Sequence, residues 1–236
     1  MDSIIRHRRI DITGSNQSGL TLDFRNEQPL LPETPVLQKS KRALDIALSI
    51  LALAALSPLI VMIAVALKAT SPGPLLFVQT REGLNGKSFQ MYKFRTLHSA
   101  ASDYSGLQAV QENDIRVCRV GAFLRRTSLD EIPQLFNVLA GEMSLVGPRP
   151  HVPGMRVGAD RYDEVVPYYH LRNRVKPGLT GWAQANGLRG TIQTVHSAKA
   201  RVDHDLAYLA NVSVILDIKI LIKTIWHEAT ELGRGT

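Results

Sequence analysis

The sequence predicts an α+β protein, mainly helical: a re-entrant membrane helix hairpin, then a compact cytosolic domain with a small β-hairpin and interfacial amphipathic helices. Three observations lead there. Ala43 to Leu67 form one apolar run, residues 75–97 cluster β-forming residues around a glycine-bearing turn, and later segments repeat apolar residues at helical intervals.

Residues 1–38 read as a mobile polar tail. They contain GSNQSG and EQPLLPETP, with little apolar surface to bury, and no apolar core follows the basic start as a signal peptide requires. The whole chain of 236 residues is long enough for one substantial domain with appendages. Its formal charge of +7 suits anionic partners, whether nucleic acid, acidic lipid or phosphorylated substrate. Cys118 is the only cysteine, which excludes an internal disulfide and a cysteine-rich zinc site and fits a reducing compartment. The seven histidines lack zinc-site spacing, and His196 and His204 read as surface residues.

Residues 39–70 form the membrane segment. The apolar run of about 25 residues exceeds an ordinary core helix. Its one charge, Asp45, lies a turn after Lys41 and is placed to pair with it. Ser57-Pro58 stands near the centre, where proline removes a backbone hydrogen bond and kinks or breaks a helix. In lipid, serine can satisfy the freed carbonyl. Lys39, Lys41 and Arg42 precede the run, and Lys68, Arg81 and Lys87 follow it. The length alone reads first as a spanning helix; basic residues favour the cytoplasmic side, so two basic flanks favour a helix that enters and returns, and the residues alone leave both topologies open.

Residues 71–236 form the cytosolic domain. PLLFVQTREG and GKSFQMYKFRTL predict a hairpin, with Lys93 and Arg95 on one strand face. Residues 98–114 are polar and read as a loop. Phe123-Leu124, then Ile132, Leu135, Phe136 and Leu139, give helical spacing that Gly141 can end. At the start of that second helix stand two adjacent acids, Asp130 and Glu131. Ser128 and Glu131 match a capping box, although Pro133 prefers a first helical position. In either register both carboxylates lie at the helix N-terminus, suited to attack, to metal binding or to capping alone.

Two further segments point to phosphate. Val146-Gly147-Pro148-Arg149-Pro150 presents a guanidinium between prolines, and arginine is well shaped for forked phosphate recognition. RVKPGLTGWAQANGLRG packs glycines, a tryptophan and basic ends into a loop-like run. Acids, arginines and a membrane segment together suggest a phosphate ester handled at a bilayer surface.

K-R-x-x-D before a Ser-Pro-centred helix, KFRT, SLDEIPQLFNVLAGEMSLVGPRP, KPGLTGWAQANG and LDIKI, taken in order, resemble the bacterial sugar transferases over about residues 39–226. These are monotopic polyprenyl-phosphate phosphoglycosyltransferases of exopolysaccharide, capsule or O-antigen synthesis. The resemblance implies transfer of a sugar 1-phosphate from a UDP-sugar to undecaprenyl phosphate at the cytoplasmic face of the bacterial inner membrane, with release of UMP. It implies that Asp130 attacks and carries a covalent phosphosugar, and that Glu131 holds Mg2+. It places Arg125 and Arg149 against phosphate, Lys93 and Arg95 among the substrate-binding residues, and Arg189 near the nucleotide. It makes Ser57 and Pro58 the turn of the hairpin. FRTLH departs from the commoner FRTM form and reads as a packing change. Larger relatives carry an N-terminal membrane domain, against which this chain resembles the minimal catalytic unit.

From Ile192 the chain reads as helix, with Lys219, Lys223 and Trp226 among apolar residues. Such a helix can lie on an anionic membrane surface or pack on the domain. Asp217 is expected to pair with Lys219 or another neighbouring basic residue and is assigned no chemistry. Two rival functions are weighed. A membrane-tethered binding protein fits the charge, but the basic residues recur beside prolines and acids rather than in a stripe with stacking aromatics, which argues against nucleic acid. A glycosyltransferase of the same fold would release UDP instead. Homo-oligomerisation and the identity of the sugar stay open, with glucose or galactose favoured.

Overall fold

The computed structural model describes residues 35–98, 114–190, 192 and 194–233. Most of the expected tail and loop, residues 1–34 and 99–113, lie outside them.

Helix α1, Pro35–Thr70, begins ahead of the expected boundary, so residues 35–38 are helical rather than tail. Pro35 occupies its first position, where the missing N–H has no intrahelical partner to lose. The helix has 36 residues, about 54 Å at ~1.5 Å per residue, and is long and apolar enough to cross a membrane. Its helical structure continues through Ser57-Pro58, as one element rather than two. Pro58 cannot bond the Ala54 carbonyl, and the Ser57 hydroxyl donates to it at 2.8 Å instead. Ile50, Leu51, Val61, Met62 and Val65 are exposed along it.

Both ends of α1 are fastened to the remainder of the fold. The expected Lys41–Asp45 pair does not form. Lys41 Nζ meets Asp217 at 2.5 Å and donates to Val146 O at 2.9 Å, while Asp45 accepts from Ser144 Oγ and the Leu145 N–H. The reason is burial: these side chains face the domain, where backbone groups and a second acid need partners. At the other end Ile63 and Leu67 enter the core.

Strands β1, Leu76–Glu82, and β2, Ser88–Phe94, form the predicted antiparallel hairpin, running from Leu76 opposite Phe94 to Glu82 opposite Ser88. Asn85 and Gly86, at φ 54° and 73°, make its turn. Gln79, Phe89 and Met91 are buried on its inner face, which Arg81 and Lys93 share by alternation. Helix α2, Arg119–Arg126, is capped by Cys118 Sγ, which accepts from the Gly121 N–H. A Leu129–Glu131 turn of 3-10 helix and Pro133 lead into α3, Gln134–Ala140, which Gly141 ends at φ 86° as predicted.

Strand β3, Ser144–Val146, runs parallel to β6, Gly178–Thr180. The two backbones approach so closely that a Cβ on Gly178 would lie 2.1 Å from Gly147 N, so glycine is required there. Between them lie β4 (Arg156–Val157), β5 (Asp160–Arg161), α4 (Tyr162–Val165) and a 3-10 segment, Tyr169–Arg174. Helices α5 (Trp182–Ala185), α6 (Val195–Ala210) and α7 (Val214–Gly233) complete the order. The single C-terminal helix of the sequence reading is thus two. Asn211 turns its amide onto Ala207 O, and Ser213 Oγ accepts from the Leu216 N–H, so local side-chain bonds end one helix and start the next.

One core joins Ile63 and Leu67 of α1, the inner face of the hairpin, Leu124, Ile132, Leu135, Val138, Leu145, Tyr208 and Ile220. A smaller one lies under α4 and α6 around Tyr162, Tyr169 and Val202. Helix α7 buries Asp217 and Ile220 yet exposes Ile215, Ile218, Ile222, Ile225 and Trp226. It packs on the domain, as one of the two sequence alternatives expects, and presents an apolar stripe outward.

Candidate active site

Ser128 links α2 to the acids in a left-handed conformation, φ 53° and ψ 13°, uncommon for a residue with a Cβ. It is not a capping-box residue. Its hydroxyl donates to Glu228 Oε2 of α7 at 3.0 Å, and Glu131, the expected partner, is drawn to cations instead. The chain then places Asp130 in a buried position and Glu131 beside it.

Lys93 arrives from β2 and Arg149 from the segment after β3. Lys93 Nζ donates to Glu131 Oε1 at 2.6 Å, and Arg149 forks across both carboxylate oxygens, Nη1 donating to Oε2 at 3.2 Å and Nη2 to Oε1. Asp130 is engaged more loosely, with Lys93 Nζ at 3.8 Å from its Oδ2. The two acids therefore titrate apart. Burial would raise Glu131, but Arg149 and then Lys93, by charge and by hydrogen bonding, hold it well below the usual carboxylate range. Burial raises Asp130 above its ordinary 3.8; Lys93 opposes the rise and the Glu131 charge adds to it.

Arg125, on the exposed side of α2, acts on Asp130 by charge and donates to Thr96 Oγ1 at 3.5 Å. Arg95 does not join the site. It lies just beyond β2, buried, and its guanidinium donates to Ser71 O at 2.6 Å and Pro72 O at 2.8 Å, clamping the exit of α1. Arg189 stands off the acids, donating to Glu228 Oε1 at 2.5 Å. Through Glu228 it shares a carboxylate with Ser128, two residues before Asp130.

Sequence reasoning missed three participants. Arg81 of β1 donates to Pro150 O at 3.1 Å and to Gln79 Oε1, bracing the proline-flanked segment of Arg149. Burial and the neighbouring Arg149 charge lower its pKa to about 10, although Glu131 opposes them. The hairpin alternation that linked Lys93 to Arg95 also puts Arg81 on the Lys93 face, a signal that was legible. Glu228 and Asn137 carried no such signal, because the partners that tie them to the site, Ser128 and Arg189 for one and Gln90 and Tyr92 for the other, lie far away in sequence.

Glu131 accepts three hydrogen bonds of about four that a carboxylate can take, so one lone pair is left. With Asp130 beside it, the donor set is all oxygen, as a hard cation such as magnesium prefers. Among the described residues no group of three or more His, Cys, Asp or Glu converges, so such an ion would draw further ligands from water and substrate phosphate.

Comparison with known proteins decides the family. The model of the family described as bacterial sugar transferase matches residues 36–231. The chain belongs to that family. The transferase is 48% identical over 195 residues to an exopolysaccharide production protein, PSS, of Rhizobium leguminosarum bv. phaseoli, covering 83% of this chain and 97% of that one. It is 48% identical over 188 residues to an undecaprenyl-phosphate glucose phosphotransferase of Komagataeibacter xylinus, covering 80% of this chain and 35% of the relative. It is 47% identical over 210 residues to a UDP-glucose:undecaprenyl-phosphate glucose-1-phosphate transferase of Escherichia coli (strain K12), covering 87% of this chain and 44% of the relative. The transferase thus spans nearly all of the Rhizobium protein and less than half of the other two. Its matched region contains both acids, Lys93, Arg125, Arg149 and Arg189.

Proposed function

We propose that this transferase moves a sugar 1-phosphate, glucose 1-phosphate first among the candidates, from a UDP-sugar to undecaprenyl phosphate, releasing UMP. The observation that carries the reading is the opposite treatment of two adjacent carboxylates: Glu131 is matched by two cations, while Asp130 is buried, loosely paired and made more basic. A more basic carboxylate is a better nucleophile, and the fixed cations beside it favour the charge of a phosphate under attack. The glucose assignment is supported by the names of the Komagataeibacter and Escherichia relatives.

In the first half-reaction an Asp130 oxygen bonds to the phosphorus that carries the sugar. The bond from that phosphorus to the bridging oxygen breaks, and UMP leaves with the electron pair. In the second, an oxygen of undecaprenyl phosphate attacks the same phosphorus, the Asp130 acyl phosphate bond breaks, and undecaprenyl diphosphate sugar leaves. Lys93, Arg125 and Arg149 hold the phosphate oxygens in reach. Asp130 and the free lone pair of Glu131 would hold magnesium, which neutralises diphosphate charge when bound.

The same reading puts the protein at the cytoplasmic face of the bacterial inner membrane, with α1 entering and returning at Ser57-Pro58. Both ends of α1 dock on one domain, through Arg42 on Val138 O and Leu139 O and through Leu67 in the core, which supports the return. The exposed stripe of α7 would then rest on the lipid surface. The test is the nucleotide released when purified protein, magnesium and undecaprenyl phosphate meet a panel of UDP-sugars. UMP with UDP-glucose is expected. UDP as product would replace the reading with glycosyl transfer, and UMP with a different sugar alone would overturn the glucose assignment.

A further inference from the structure

Asn137 has no exposed surface, and its amide makes three hydrogen bonds. Oδ1 accepts from the Tyr92 N–H at 3.0 Å, and Nδ2 donates to Gln90 O and to Glu142 Oε2, each at 2.7 Å. Its own carbonyl accepts from the N–H groups of Glu142 and Met143, so the end of α3 is folded back around it. Gln90 and Tyr92 flank Met91 on β2, in a hairpin that has two strands among the described residues. The carboxamide thus serves the strand edge that a third strand would otherwise cover.

What this amide joins is informative. Asn137 lies on α3, which follows the two acids directly, and Lys93 is the next residue of β2 after Tyr92. The path from Glu131 along α3 to Asn137, across to Tyr92 and on to Lys93 closes on itself where Lys93 Nζ meets Glu131 Oε1 at 2.6 Å. Within that ring Asn137 supplies the side-chain link between helix and strand. Glu142 keeps the amide oriented, and Arg42 donates to Val138 O and Leu139 O behind it, so the end of α3 is held on two sides.

We propose that Asn137 is a positioning residue of this site, holding β2 so that Lys93 stands between Asp130 and Glu131. The inference rests on the phosphosugar-transfer reading. Asn137 touches no reacting atom; it acts through Lys93. The ammonium contributes to transfer only from within a few ångströms of both acids, and a displacement of about 1 Å can cost on the order of 100-fold.

The experiment is a double-mutant cycle on kcat for UMP release, using the full chain in lipid nanodiscs with UDP-glucose and undecaprenyl phosphate. Asn137→Ala in the wild-type background is expected to lose about tenfold to 100-fold in kcat with KM for the donor nearly unchanged. In a Lys93→Met background the same substitution is expected to cost less than about threefold, because the group it positions is gone. Equal losses in both backgrounds would overturn the proposal, since a merely structural role is indifferent to Lys93. Asn137→Ser, measured in both backgrounds, replaces the alanine variant if that fails to fold. A crystal structure of the variant gives a readout independent of turnover: Lys93 Nζ is expected beyond hydrogen-bond reach of Glu131, and an unchanged 2.6 Å contact would overturn the proposal. Wild-type protein that releases no UMP would overturn the transfer reading itself, a result distinct from either.

Discussion

Asp130 and Glu131 are joined by one peptide bond and live in different electrostatic surroundings, and the chemistry proposed here depends on that difference. Because Lys93 lowers the Asp130 pKa and the Glu131 charge raises it, Lys93→Met should move the acidic limb of the pH–rate profile for UMP release to higher pH. Glu131→Gln should move it to lower pH; movement in one direction for both variants would contradict this placement of charges. A second prediction concerns stability. The folded state raises the Asp130 pKa above its ordinary 3.8, so folding is favoured with Asp130 protonated, and that contribution is lost as pH rises through the folded value. At neutral pH the charged form therefore opposes folding. Asp130→Asn should raise the melting temperature there while lowering turnover by on the order of 10³ or more, and the gain should fade as pH drops toward 3.8. At this scale the sequence was informative about which residues carry charge and uninformative about their partners. Ser128 and Glu131 matched a capping box by spacing alone, but a left-handed Ser128 and two distant cations break it. Arg149 and Lys93 reach Glu131 across intervals of 18 and 38 positions, and no local pattern registers such a meeting.

Among the elements, the hairpin, α2, α3 with its Gly141 stop, and the apolar helix were legible because each rests on local rules: alternation, periodicity and a glycine at positive φ. The division of the C-terminal helix at Asn211 was not, since asparagine and serine are tolerated within helices and only their local side-chain bonds reveal a break. Pro58→Ala restores the N–H that Ala54 O lacks, and a straight helix of about 54 Å exceeds the ~30 Å hydrocarbon core. A tag at residue 1 should then pass from the cytosolic to the opposite side in membrane vesicles; a tag that stays cytosolic would show that this proline does not set the path. On α7, Ile222→Asp together with Ile225→Asp should weaken sedimentation with anionic vesicles if the exposed stripe meets lipid. Unchanged sedimentation would remove α7 from the membrane contact.

For the molecule as a whole, α1 is built into the domain that carries the two acids. Lys41, Asp217, Tyr208 and the Val146 carbonyl form one buried network just ahead of the Gly147-Pro148-Arg149 segment, so the helix root supports the strand that delivers Arg149. Lys41→Ala leaves the Asp217 carboxylate buried without its cation and should destabilise the fold by about 3 kcal/mol, measured by thermal unfolding in nanodiscs. A loss under about 1 kcal/mol would mean that Asp217 finds another partner. The sequence assigned Asp217 a basic neighbour and placed it nearby, whereas the partner lies 176 positions away.

The covalent phosphosugar proposed on Asp130 is tested by a single-turnover reaction of the full chain with magnesium and UDP-glucose, with undecaprenyl phosphate withheld. Release of up to one UMP per protein molecule is expected, with an adduct of hexose-phosphate mass on the peptide containing Asp130, both absent from Asp130→Asn. UMP that appears only after the lipid phosphate is added, with no adduct at any time, would mean direct transfer between the two substrates and no role for Asp130 as the nucleophile.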